Sequence, residues 1–165
     1  SDADGRLSMD NLVIRLGVQE LIGEYAERID EDRLEEWPDL FADPCRYLVI
    51  SRSNHEAGMR QGVMYAASRG MLLDRVFSIR HANLFEPHRY RHVNGPIRLK
   101  SMEGNVALVH SHFIVARIMQ DGSTSLFATG RYLDRIDTAG APYRFRERIV
   151  VLDSDKIDTL LAIPL

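Results

Sequence analysis

The 165-residue chain holds a single cysteine, Cys45. No disulfide can close within it, and it can supply neither a four-cysteine zinc site nor a cysteine-ligated iron–sulfur cluster. Charge of one sign is also scarce. The 21 Lys and Arg against 24 Asp and Glu leave a formal net charge of −3, too slight to draw the whole surface to nucleic acid or an anionic membrane. No apolar run approaches the length of a bilayer span, and the opening Ser1-Asp2-Ala3-Asp4-Gly5 is small and acidic, without the apolar core of an export signal. A soluble protein of the reducing cytoplasm is expected, with neither nucleic acid nor membrane as partner. Linkers, repeats and low-complexity blocks are missing as well. A chain of this size buries roughly two thirds of the surface it exposes when unfolded, so one domain over residues 1–165 is expected.

What is present divides into a helical half and a strand-rich half. Ser8 or Asp10 can cap a first helix whose apolar positions Leu12, Leu16, Ile22, Tyr25, Ala26 and Ile29 recur at steps of three and four, interrupted by Gly17 and Gly23. Asp30 and Asp32 open a shorter helix carrying Leu34, Trp37, Leu40 and Phe41, limited by Pro38. A short strand around Tyr47 and Val49 follows, and Met64, Ala67, Met71, Leu72, Val76 and Ile79 predict a third helix from Gly62 to Ile79.

Residues 90–153 read as a meander of four strand-like runs. Asp121-Gly122 is a two-residue hairpin signal that places His112 opposite Arg131. A turn centred on Ala139 places Asp134 opposite Arg144 and Arg131 opposite Glu147, two opposite-charge pairs that favour this register. Two-residue alternation then puts His110, His112, Ile114, Phe127, Thr129, Arg131, Leu133, Phe145, Glu147, Ile149 and Val151 on one face, taken as the inward one. Val109, Phe113, Val115, Ala128, Tyr132, Arg146, Arg148, Val150 and Leu152 lie on the other. Both faces are substantially apolar, which implies that another chain covers the second. The predicted class is α+β: three N-terminal helices packed on a curved antiparallel sheet, the cone of the nuclear transport factor 2-like superfamily.

Several strings carry a more specific resemblance: Glu36-Trp37-Pro38 with Leu40-Phe41, Asn54-His55-Glu56-Ala57-Gly58, and Arg80-His81-Ala82-Asn83 with His88-Arg89-Tyr90-Arg91-His92. Phe127-Ala128-Thr129-Gly130-Arg131-Tyr132-Leu133-Asp134 and the closing run from Arg146 to Ser154 complete the set. With these the chain resembles, along nearly its whole length, the small (beta) subunit of Rieske non-haem iron aromatic-ring-hydroxylating dioxygenases, most of all the terephthalate dioxygenase type. The resemblance implies a non-catalytic subunit of an oxidoreductase for aromatic catabolism. A large alpha subunit would hold a [2Fe-2S] Rieske cluster on two Cys and two His and a mononuclear Fe(II) on two His and a carboxylate, with NAD(P)H electrons arriving through a separate reductase. It also implies a beta trimer within an alpha3beta3 hexamer. No cofactor or metal is expected in this chain, since one cysteine cannot ligate the cluster and no carboxylate stands with two histidines at the spacing of the iron site.

The polar residues admit two readings. Asp30, Tyr47, His81 and His110 could converge as a general acid–base pocket, as in enzymes resembling scytalone dehydratase or polyketide cyclases. The alternative, preferred here, is structural: Arg131 between His112 and Glu147 forms a self-satisfied buried network. His110 and His112 could share a metal, but no third ligand is evident. The string His88, Arg89, Tyr90, Arg91 and His92, with Arg146 and Arg148, is expected at subunit contacts, where Arg and Tyr are enriched. Cys45 reads as a small buried apolar residue.

Overall fold

The computed structural model describes residues 8–82, 86–156 and 163–165. The first helix, α1 (Met9–Asp30), starts where expected, because the Ser8 hydroxyl accepts the Asn11 N–H at 3.1 Å. It buries Val18, Leu21, Ile22, Tyr25, Ile29 and Asp30 and leaves Met9, Leu12, Val13 and Leu16 in solvent. Gly17 has a specific task within it: a Cβ there would lie 2.3 Å from the Tyr143 ring. The glycine costs helix propensity of about 1 kcal/mol, and in return Tyr143 packs directly on the helix backbone. A 3-10 helix, Leu34–Leu40, takes up the Pro38-bearing segment and buries Leu34, Trp37 and Leu40. Trp37 meets Tyr25, Phe41 and Tyr47 edge-on, at centroid distances of 6.3, 5.5 and 5.4 Å.

The strand after it, β1 (Phe41–Ser51), is longer than its sequence signal, and a short α2 (Arg52–Glu56) follows. The third long helix begins later than expected. Residues Met64–Ala66 form β2, antiparallel to β1, and α3 runs over Arg69–His81, with the Ser68 hydroxyl accepting the Met71 N–H at 3.2 Å. The correction has a steric and a hydrogen-bonding cause. Gly62 lies so close to β1 that a Cβ would stand 2.0 Å from the Val49 carbonyl oxygen, and the Val63 N–H donates to that oxygen at 2.8 Å. Sheet pairing here overrides helical periodicity.

The second half supplies β3 (His88–Asn94), β4 (Arg98–Glu103), β5 (Val106–Met119), β6 (Thr124–Asp137) and β7 (Arg144–Leu152). These are five strands where four runs were expected, since β3 pairs with the second half of β5 and β4 with the first. Among the described residues the sheet runs β2-β1-β7-β6-β5-β3, with β4 also on β5, and β1 lies parallel to β7. The cone-like α+β architecture is that expected, with one parallel pairing within the otherwise antiparallel sheet.

The first hairpin has the expected register from Val115 inward, His112 opposite Arg131, but a shift between Val115 and Ala116 leaves the pairs beside the turn one residue off it, with Ile118 opposite Thr124. The second does not: Arg131 lies opposite Val151 and Asp134 opposite Arg148. The turn extends past Pro142, a residue that cannot donate to a ladder, so the strands re-pair further along. A bulge between Arg135 and Ile136 keeps Phe145 on the inward side, as expected, apart from most of its expected face. The two faces are inverted relative to the expected sense. Val109, Phe113, Val115, Tyr132, Asp134, Arg148, Val150 and Leu152 face the helices and are buried. His110, His112, Arg131 and Glu147 point to the outer side, where alternation places the more polar set.

Candidate functional site

The centre of the cone is an ion pair clasped by aromatic rings. Arg148 donates from Nε and Nη2 to the two Asp134 oxygens at 2.9 and 3.2 Å, and both side chains are wholly buried. The guanidinium carbon lies 3.6 Å from the centre of the Tyr132 ring, 4.1 Å from that of Tyr25 and 4.4 Å from that of Phe145, so cation–π attraction adds to the salt bridge. Burial pushes the Asp134 carboxyl above the usual carboxylate range, opposed by Arg148. Burial also works against the Arg148 charge, but Asp134 and the two phenols outweigh it.

Beside this pair the hydroxyls of Tyr25 and Tyr47 converge on the Leu165 carbonyl, and the Tyr47 oxygen accepts the Leu165 N–H at 3.3 Å. Burial raises the pKa of Tyr25, Tyr47 and Tyr132 above the ordinary phenol value, so all three are neutral near neutral pH. Ile163 and Leu165 are themselves buried in the core.

A second polar pair joins helix to sheet. Asp30, in the last turn of α1, lies 2.6 Å from His92 Nδ1 through one oxygen and accepts the His92 backbone N–H at 2.8 Å through the other. The His92 Nε2 has no hydrogen-bond partner among the described residues. A carboxylate behind an imidazole is the arrangement that orients a general base, yet the His92 side chain is 0% exposed. Its evident effect is to fasten the end of α1 to β3.

The residues proposed from sequence do not assemble as one site. Asp30 and Tyr47 are inside the cone. His81 is exposed on α3, its Nδ1 2.8 Å from the Phe77 carbonyl and its ring stacked on Phe77. His110 lies on the outer sheet face, its imidazole held below the ordinary value by partial burial and then by Lys100, Arg131 and His112. The network of His112, Arg131 and Glu147 does not form, because Glu147 accepts from Arg46 on β1 at 3.1 Å and His112 is exposed. Among the proposed contact residues, Tyr90, His92 and Arg148 are buried within the chain. His88 is half-buried, while Arg89, Arg91 and Arg146 remain exposed, Arg91 3.6 Å from Glu31 and Arg146 3.0 Å from Asp137.

Sequence reasoning missed the Asp134–Arg148 pair and the partnership of Asp30 with His92. The first was within reach: Pro142 argues against the shorter turn, and the corrected register opposes Asp134 to Arg148. The second joins residues 62 positions apart and left no local signal. No group of three or more His, Cys, Asp or Glu among the described residues is placed to hold a metal, and the lone cysteine cannot furnish the two thiolates of a Rieske cluster.

The outer sheet face has two zones. Leu48, Ile50 and Val151 form a small buried cluster with Leu133 and Ile149 packed on it, and α2 packs against β1 and β7. Towards β3, β5 and β6 the face leaves Val93, Ile114 and Leu126 at 61, 47 and 67% exposure.

Known proteins resemble this chain in sequence and in fold. A family model described as the ring hydroxylating beta subunit matches residues 24–159. The terephthalate 1,2-dioxygenase terminal oxygenase component subunit beta 2 of a Comamonas species is 43% identical over 141 residues, covering 86% of this chain and 92% of that protein. The anthranilate 1,2-dioxygenase small subunit of Burkholderia cepacia is 30% identical over 141 residues, 86% of this chain and 88% of that one. A crystal structure of a beta subunit of the aromatic-ring-hydroxylating dioxygenase type from Novosphingobium aromaticivorans superposes with a TM-score of 0.86 at 37% identity, covering 93% of this chain and 98% of that one. With the inward helices, the curved sheet and the strings Glu36-Trp37-Pro38 and His88-Arg89-Tyr90-Arg91-His92 in place, the chain belongs to the family of ring-hydroxylating dioxygenase beta subunits.

Proposed function

We propose that this chain is the structural, non-catalytic beta subunit of a terminal oxygenase that dihydroxylates an aromatic acid, terephthalate or a related benzoate. Its partner is an alpha subunit holding the Rieske cluster and mononuclear iron, reduced from NAD(P)H through a separate reductase. The beta chains associate as a trimer through the exposed zone around Val93, Ile114 and Leu126 and support three alpha subunits in an alpha3beta3 particle in the cytoplasm. The observation that carries this reading is the filled cone. Tyr25, Tyr47, Tyr132 and Arg148 are at most 1% exposed, and Leu165 lies against two of the phenols, an interior committed to holding the fold. The identity to terephthalate dioxygenase beta subunits supports the substrate class.

Co-expression with a Rieske alpha subunit tests it. The expected product is one particle containing both chains, with all iron in alpha and none in the isolated beta chain. Stoichiometric iron in the beta chain alone, or failure to associate with any alpha subunit of this class, would overturn the proposal. A second reading, a stand-alone dehydratase-like or cyclase-like enzyme, rests on the Asp30–His92 pair, whose Nε2 has no hydrogen-bond partner among the described residues. Dehydration of a hydroxylated aromatic by the lone chain would decide for it.

A further inference from the structure

A cavity of about 630 Å³ opens between α1, the 3-10 helix and the β6–β7 turn, on the helix side of the molecule. Val13, Leu21 and Leu40 give it an apolar floor, and Pro142 and Tyr143 wall it. The wall is built by sequence: any side chain at Gly17 would collide with the Tyr143 ring. The apolar floor continues into solvent along α1 through Met9, Leu12, Val13 and Leu16, spaced by three and four residues and exposed by 74, 39, 58 and 56%.

The rim is acidic. Glu20, Glu24, Glu36 and Asp39 face Arg28 and Arg144, and Arg28 is already engaged by the Glu24 carboxylate at 3.1 Å and the Glu36 carbonyl at 2.6 Å. Glu36 has an Arg33 guanidinium at 3.6 Å. Glu20, Asp39 and Arg144 are exposed and form no ion pair among the described residues, which leaves the uncommitted charge of the rim negative by one. An apolar trough with two uncommitted carboxylates is complementary to a segment that carries an aliphatic or aromatic anchor flanked by cations. The chain's own first residues do not match, since Asp2 and Asp4 outnumber Arg6. A further beta chain is already assigned the opposite, outer face of the sheet.

We propose that this groove docks the oxygenase alpha subunit, through an alpha segment whose apolar side chain seats on Val13 and Tyr143 while flanking Lys or Arg residues reach Glu20 and Asp39. The inference rests on the beta-subunit reading and assigns the surface by which that role is exercised.

The test measures binding of purified alpha subunit to immobilised beta chain, wild type against Glu20→Lys/Asp39→Lys, the milder Glu20→Gln/Asp39→Asn, and Tyr143→Ala. The lysine pair should weaken alpha binding by about tenfold or more and the amide pair by less, with the wild-type affinity falling as salt is raised. Tyr143→Ala should weaken it without changing the salt dependence. In all three the beta chain's own oligomeric state, read by light scattering, should match wild type. Alpha binding within about twofold of wild type in both charge variants would overturn the groove assignment while leaving the beta-subunit reading intact. Loss of beta self-association with alpha binding preserved would make the groove a contact between copies of this chain and equally overturn it. Wild-type chain that binds no alpha subunit would remove the reading itself.

Discussion

Arg148 and Asp134 share two hydrogen bonds, at 2.9 and 3.2 Å, in a place where neither side chain touches solvent. Such a pair costs desolvation to bury, and removing one partner strands the other charge. Arg148→Met should therefore destabilise the fold by about 3–5 kcal/mol, measured by urea denaturation at fixed protein concentration. Adding Asp134→Leu to the same chain should recover most of that loss. A single variant within about 1 kcal/mol of wild type would mean that water reaches the pair.

The Asp30–His92 contact separates structural from catalytic roles. Asp30→Ala strips His92 of both its side-chain and its backbone acceptor, and should cost about 1.5–3 kcal/mol, the range for hydrogen bonds to a charged group. Turnover per intact oxygenase particle should stay within a few fold. A fall of roughly 10²–10⁴ in an activity of the chain itself, the scale for losing a general acid or base, would favour the dehydratase-like reading instead.

On the outer face Arg131 and Ile114 should respond differently. Arg131 is half-buried, with Val151 opposite it on β7, and makes no ion pair among the described residues. Arg131→Met should change unfolding free energy by no more than about 0.5 kcal/mol. Ile114→Asp should leave the monomer folded and reduce self-association, as sedimentation would report. Unchanged association would move the beta–beta contact elsewhere.

His110 sets the sign of one pH effect. Its imidazole is held below the ordinary value, about 6.5, by partial burial and then by Lys100, Arg131 and His112. The unfolded chain thus binds this proton more readily than the folded one. The stability linked to His110 is whole above the unfolded value and is lost as the pH falls below it. The melting temperature should drop more between about pH 8 and about pH 5 in wild type than in His110→Gln. Parallel profiles for the two proteins would show that this imidazole does not contribute.

The second hairpin shows why strand register was only partly legible. The turn centred on Ala139 offered two opposite-charge pairs, Asp134 with Arg144 and Arg131 with Glu147. The observed register offers three, Asp134 with Arg148, Arg135 with Glu147 and, past the bulge, Asp137 with Arg144. Cross-strand charge thus favours the observed register by a single pair, and Pro142 favours it too, by refusing a place in a paired strand. The sense of the faces was open. Alternation separates Tyr132 from Arg131 but does not say which side meets the helices, and the bulge at Arg135 and Ile136 reverses the pattern for Phe145.

By itself the sequence determined that no Rieske cluster can sit on this chain, because one thiolate cannot do the work of two. It also offered Ser8 or Asp10 as the cap of α1, of which the structure takes Ser8, and marked the β5–β6 turn at Asp121-Gly122, because these signals lie in residues adjacent along the chain. Its local strings were enough to place it in a family. Tertiary structure alone decided that Arg148 and His92 belong to the core and that Tyr25 and Tyr47 meet Leu165. It alone set Tyr143 against Gly17 to wall the acidic groove. Each of these joins separate elements through the parallel β1–β7 pairing or the packing of α1 on the sheet. Which polar group meets which partner is settled there by the geometry of the closed cone, and spacing along the chain carries no record of it.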